Sequence, residues 1–107
     1  MEFKCVIAMV KPDLTDDVIT AAKKAGARGA TIIPGKGTGA HEAKTFFGLT
    51  LDIPTDVIVF LLKTDLVDSV LEAVVMAGRF SEPGTGIAYV VSVDEVVGLE
   101  SQISQKS

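Results

Sequence analysis

Two glycine-rich stretches hold the residues best suited to chemistry. One is Gly35-Lys36-Gly37-Thr38-Gly39; the other is Pro83-Gly84-Thr85-Gly86, shortly after Arg79. Glycine permits positive φ and lets successive backbone N–H groups converge on an anion. Lys36 adds a positive charge beside the first stretch. Each stretch alone is also what an ordinary turn looks like. The first is not a Walker A loop: Gly29 and Gly35 are one residue too far apart, and Gly37 follows Lys36 where Ser or Thr is needed.

The other reactive side chains form no constellation. The single histidine, His41, has Glu42 beside it but no further ligands at metal-binding spacing. With one histidine, no serine nucleophile has a ready base. Asp16, Asp17, Asp65 and Asp68 fall where the first turns of helices favour acids. The lone Cys5 sits in an apolar run and reads as a buried strand residue. These residues predict a protein that is not an enzyme and has no obligatory cofactor or metal.

Charge and hydropathy narrow the classes further. Fourteen acids against ten bases give a net charge of −4, without the basic excess of a general nucleic-acid binder. No apolar run is long enough to span a bilayer, so direct membrane insertion is not expected. The start reads as a first strand rather than a signal peptide, which predicts a cytoplasmic protein. The hydrophobic fraction of 48% is high for 107 residues and suggests apolar surface that one small monomer does not hide.

The elements that must position the glycine stretches follow from periodicity. Phe3 to Val10 is a buried strand, ended by Pro12. A helix follows, capped by Asp13 or Thr15, with Leu14, Val18, Ala21 or Ala22, and Ala25 on its inner face and Gly26 as its stop. Thr31-Ile32-Ile33 is a short strand closed by Pro34, and Thr45–Leu51 is a further candidate strand. Val57 to Leu62 is a buried strand. A second helix is capped by Thr64 or Asp65 and has Gly78 as its stop. Arg79 to Gly86 is a loop and Ile87 to Val91 the last strand.

A shift of 52 residues exposes an internal repeat. Lys11, Asp13, Leu14, Asp16, Val18, Ala21, Ala25 and Gly26 fall on Lys63, Asp65, Leu66, Asp68, Val70, Ala73, Ala77 and Gly78, eight identities in sixteen columns. Strand–helix–strand written twice gives an α+β, ferredoxin-like βαββαβ fold: a four-stranded antiparallel sheet with two helices on one face. The other face lacks polar alternation and should meet another subunit.

At these positions the sequence resembles the PII signal-transduction family. The resemblance rests on Val10-Lys11-Pro12, Asp16-Asp17-Val18, Gly26 to Thr31, Lys36-Gly37-Thr38-Gly39, Gly84 to Val90 and Val93 to Val97. It implies one domain over residues 1–99, a T-loop-like connection at about 40–54 and a polar tail at 100–107. It also implies a homotrimer with nucleotide clefts between subunits, lined by Thr31, Lys36, Gly37, Thr38, Gly39, Leu61, Arg79, Gly84, Thr85 and Gly86. Family positions that carry cations fall on Ile87, Gly98 and Glu100. Fewer charge-assisted contacts favour AMP or ADP over ATP.

The resemblance therefore implies a regulator that senses an adenine nucleotide or a small anion. Its partner would be a target protein, a membrane transporter or a nitrogen-metabolism enzyme. The alternatives are a trimeric assembly module without a nucleotide ligand and a CutA-like metal-handling protein.

Overall fold

The computed structural model describes residues 2–37, 45–46, 49–50, 53–82 and 85–99. Strand β1 (Phe3–Val10) leads through a 3-10 turn (Pro12–Leu14) into helix α1 (Thr15–Lys24) and strand β2 (Thr31–Gly37). Two short strands follow, β3 (Thr45–Phe46) and β4 (Leu49–Thr50). Strand β5 (Ile53–Lys63) then leads through a second 3-10 turn (Thr64–Leu66) into helix α2 (Val67–Ala77) and strand β6 (Gly86–Ser92). The main sheet has the order β2-β5-β1-β6, and each neighbouring pair is antiparallel. This is the expected ferredoxin-like arrangement.

Alternation along the two central strands decides which face is covered. Val6, Ala8 and Val10 of β1 and Ile58, Phe60 and Leu62 of β5 are buried. They form one core with Val18 and Ala22 of α1 and Val67, Val70 and Val74 of α2. The intervening residues point the other way. Tyr89, Ile7, Val59 and Thr31 stand in one row across the sheet, and Ile87, Met9, Val57 and Ile33 in the next. Both helices pack on the opposite side, so this apolar face is open. Ile87 is 58% exposed and Tyr89 43%, so among the described residues nothing covers the β6 edge.

Both helices begin alike, though not as the sequence predicts. None of the expected capping side chains makes a cap bond. Instead Lys11 (φ −65, ψ 138) and Lys63 (φ −61, ψ 145) hold extended geometry before a tight 3-10 turn. In the first turn Leu14 N–H bonds to the Lys11 carbonyl at 2.9 Å. Short i→i+3 bonds of this kind satisfy the amides that a cap would otherwise meet. Pro12 has no N–H to satisfy. Thr15 does different work: its hydroxyl donates to Asp56 Oδ2 at 2.6 Å, tying the start of α1 to β5.

The helix ends differ by one residue. Gly26 (φ +124) ends α1, and Ala27 N–H reaches back to Ala22 O. Helix α2 is one residue longer, so Gly78 keeps ordinary helical geometry (φ −82) and Arg79 (φ 57) takes the left-handed position. Phe80 N–H then bonds back to Val75 O. Gly78 is thus not the left-handed stop. Its missing side chain serves space: a Cβ there would run into the Phe80 ring.

Strand β2 does not close at Pro34. It continues through Gly35, Lys36 and Gly37, which pair with Thr55, Pro54 and Ile53. Pro34 is tolerated because β2 is an edge strand and its missing donor need not break a central ladder. Since β1 ends opposite Asp56, residues 35–37 and 53–55 form a two-stranded ribbon beyond the sheet. The expected strand at Thr45–Leu51 is two short strands, pairing Thr45 with Thr50 and Phe46 with Leu49. Residues 40–44, 47–48 and 51–52 of the 40–54 segment, and residues 100–107, lie outside the described residues.

Thr15→Val should cost about 1.5–3 kcal/mol, because it leaves the half-buried Asp56 carboxylate without its hydroxyl donor. Thr15→Ser should retain most of the stability. Urea unfolding of the three proteins measures the difference.

Candidate functional site

The residues expected to line a nucleotide cleft fall into two groups on opposite sheet edges. Thr31, Lys36 and Gly37 belong to β2, with Leu61 on neighbouring β5. Arg79 and Thr85 belong to the connection between α2 and β6, and Gly86 opens β6. Thr38, Gly39 and Gly84 lie outside the described residues. The register Pro34–Asp56–Val10–Gly86 crosses the whole sheet. Three interstrand gaps therefore separate the groups, about 14 Å at the usual strand spacing. The two central strands stand between them, so one chain does not bring the two groups together.

The β2 side opens into a cleft of about 880 Å³. Thr31, Leu61, Val59 and Phe3 line it, with the turn Arg28-Gly29-Ala30 and Leu99 from beyond β6. Arg28 and Lys63 are its only lining side chains with formal charge among the described residues. Sequence reasoning picked out Thr31 and Leu61 but not Phe3 or Leu99. Leu99 carries no motif and reaches the cleft only because the chain after β6 returns across the sheet end. Lys36 sits further along β2, exposed on the ribbon opposite Pro54.

The β6 side is a braced turn. The Thr85 side chain is buried, and its hydroxyl donates toward Arg79 O at 2.5 Å and Glu82 O at 2.8 Å. Its single proton is shared between those carbonyls, leaving no further hydrogen to donate. The N–H groups of Arg79, Phe80, Glu82 and Thr85 also bond to backbone carbonyls within α2 and the turn. What the described part of the turn presents outward is the exposed side chains of Arg79, Ser81 and Glu82. One cation and one anion make its formal charge zero. Gly86 meets Met9 and Phe80 so closely that a Cβ would stand 2.7 Å from Met9 O.

The family model of nitrogen regulatory protein P-II matches residues 3–102. The chain belongs to the P-II family. Similar proteins include the nitrogen regulatory protein P-II of Rhodobacter capsulatus, 29% identical over 103 residues and covering 92% of each chain. The nitrogen regulatory protein P-II 2 of Methanothermobacter thermautotrophicus is 27% identical, covering 96% of this chain and 94% of its own. Among solved structures, Arabidopsis thaliana PII bound to citrate superposes with a TM-score of 0.74 and 26% identity, over 94% of this chain and 85% of that one. As a P-II protein this chain is a signal-transduction regulator. Among the described residues, no helix is long and apolar enough to cross a membrane.

Thr85→Val should remove the cross-brace at nearly constant shape, and Thr85→Ser should keep it. Hydrogen exchange at the Glu82 and Thr85 amides should quicken in the valine variant alone. Equal exchange in both variants would show that the hydroxyl does not hold the turn.

Proposed function

We propose that this P-II protein acts as a homotrimer that senses an adenine nucleotide in clefts between subunits. AMP or ADP is favoured over ATP, with a small anion such as bicarbonate as the other ligand class. Occupancy changes the 40–54 segment and with it the hold on a target protein, either a membrane transporter or a nitrogen-metabolism enzyme. The observation that carries this reading is the division of the candidate residues between two sheet edges. A cyclic assembly sets one edge of each copy beside the other edge of its neighbour. The open apolar face supplies the reason to assemble.

Charge supports the shorter nucleotides. Lys36 and Arg79 are the cations among the candidate residues, and Glu82 stands in the same turn as Arg79. The family's phosphate-holding lysine falls on Ile87, whose side chain sits on the open face opposite Met9. A charge-assisted contact is worth roughly 1.5–3 kcal/mol, so each lost cation weakens a triphosphate more than a monophosphate.

A second reading has its own support. The turn at Arg79–Glu82 spends Thr85 and four N–H groups on itself, as a purely structural connection would. On that reading the protein is an assembly module without a nucleotide. The metal-handling alternative finds no group of three or more His, Cys, Asp or Glu among the described residues.

Isothermal titration with AMP, ADP, ATP and bicarbonate separates the readings. Binding of AMP or ADP, with ATP weaker, is expected, and Gly84→Val should abolish it in an intact trimer. Ile87→Lys should tighten ATP more than AMP. No heat and no thermal shift with any of the four ligands favours the assembly module. Light scattering should give a trimer, and Tyr89→Asp, on the β6 edge of the open face, should give monomers.

A further inference from the structure

We infer that Phe80 is a positioning residue that holds Gly78 and Arg79 at the end of α2, and Thr85 and Gly86 at the start of β6, in their working arrangement before any ligand arrives. This rests on the turn being the phosphate side of the proposed cleft. No motif singles out Phe80. It is one of five phenylalanines and follows a residue of greater chemical interest.

The geometry around its ring is specific. Phe80 is half-buried and packs against the core under α2. Its ring lies against two glycines from the two ends of the turn. A Cβ on Gly78 would collide with Phe80 Cε1, and one on Gly86 would stand 2.6 Å from that atom and 3.1 Å from Cζ. Gly78 belongs to the end of α2 and Gly86 to the start of β6, so the ring clamps both ends at once. At the corresponding place after α1 the chain has Ala27, buried but without a ring. The same helix-ending motif is thus enlarged on one side only.

The clamp fixes Arg79. Phe80 N–H reaches back to Val75 O, which requires the left-handed turn at Arg79. A non-glycine residue keeps that conformation only when its neighbours hold it. With the ring seated, the Arg79 carbonyl faces the Thr85 hydroxyl and its side chain is exposed. The ring sets the helix end, the helix end sets Arg79, and Thr85 locks the turn behind it. A turn shaped in advance loses less conformational freedom on binding a phosphate.

The two glycines supply a test that ordinary destabilisation does not mimic. Phe80→Leu keeps an apolar side chain, while Gly78→Ala pushes the ring away by adding one carbon. Both variants, as intact trimers, should bind ADP about tenfold more weakly and adenosine unchanged, because only the phosphate contacts pass through the turn. Gly78→Ala with Phe80→Leu should be less impaired than the sum of the two, since the smaller side chain leaves room for the new carbon. Equal losses for ADP and adenosine, or simple additivity, would overturn the role. Amide exchange reads the clamp separately. Thr85 should be protected in the ligand-free wild type and lose protection in Phe80→Leu, whether or not ADP binds. If the wild type binds no nucleotide, the cleft reading fails while exchange still judges the clamp. Unprotected Thr85 in the wild type, or unchanged protection in the variant, contradicts it.

Discussion

The structure depends on one imbalance: both helices lie on the same face of a four-stranded sheet. The covered face is a well-formed core around Phe60, Ile58 and Val6, all inaccessible to solvent. The opposite face carries Ile7, Met9, Val57, Val59, Ile87 and Tyr89 in continuous rows, and among the described residues neither helix packs on it. Leaving that much apolar surface in water is unfavourable at roughly 25 cal/mol per Å². A second copy is the simplest cover, because it brings the same apolar rows and needs no other partner.

That imbalance also bears on the site. The antiparallel order β2-β5-β1-β6 puts the two candidate halves on the outer strands. The β2 half is open and apolar, with a cleft floored by Phe3, Val59 and Leu61. The β6 half is compact and polar, built around the buried Thr85 and the ring of Phe80. They are different in kind. On the proposed reading, association through the open face and completion of a site at the edges are one event.

Much of this architecture was legible in the sequence, because periodicity and the repeat both report burial. The strands Phe3–Val10 and Val57–Leu62 and both helices are where their apolar spacing put them. What the sequence misplaced turns on tertiary context. Pro34 looks like a strand end until its edge position is known. Asp13 and Asp65 look like caps until the 3-10 turns remove the need for one. Gly26 and Gly78 align perfectly, yet one is chosen for its φ and the other for the space a ring takes up. Thr85 stood out in the sequence as a candidate, but its hydrogen bonds to Arg79 and Glu82 come only from the folded turn. Phe80 and Leu99 had no local signal, since their importance lies in what the fold brings to them.

The division of one cleft between two chains is tested most directly by mixing variants. Lys36→Gln disables the β2 half and Arg79→Gln the β6 half, and each variant alone should bind AMP or ADP poorly. Unfolded together and refolded into mixed trimers, they should recover binding at about a quarter of the clefts, those with an unaltered half from each neighbour. Recovery of that size in a titration is the predicted result. Mixed trimers that bind no better than either parent would contradict a site shared between subunits.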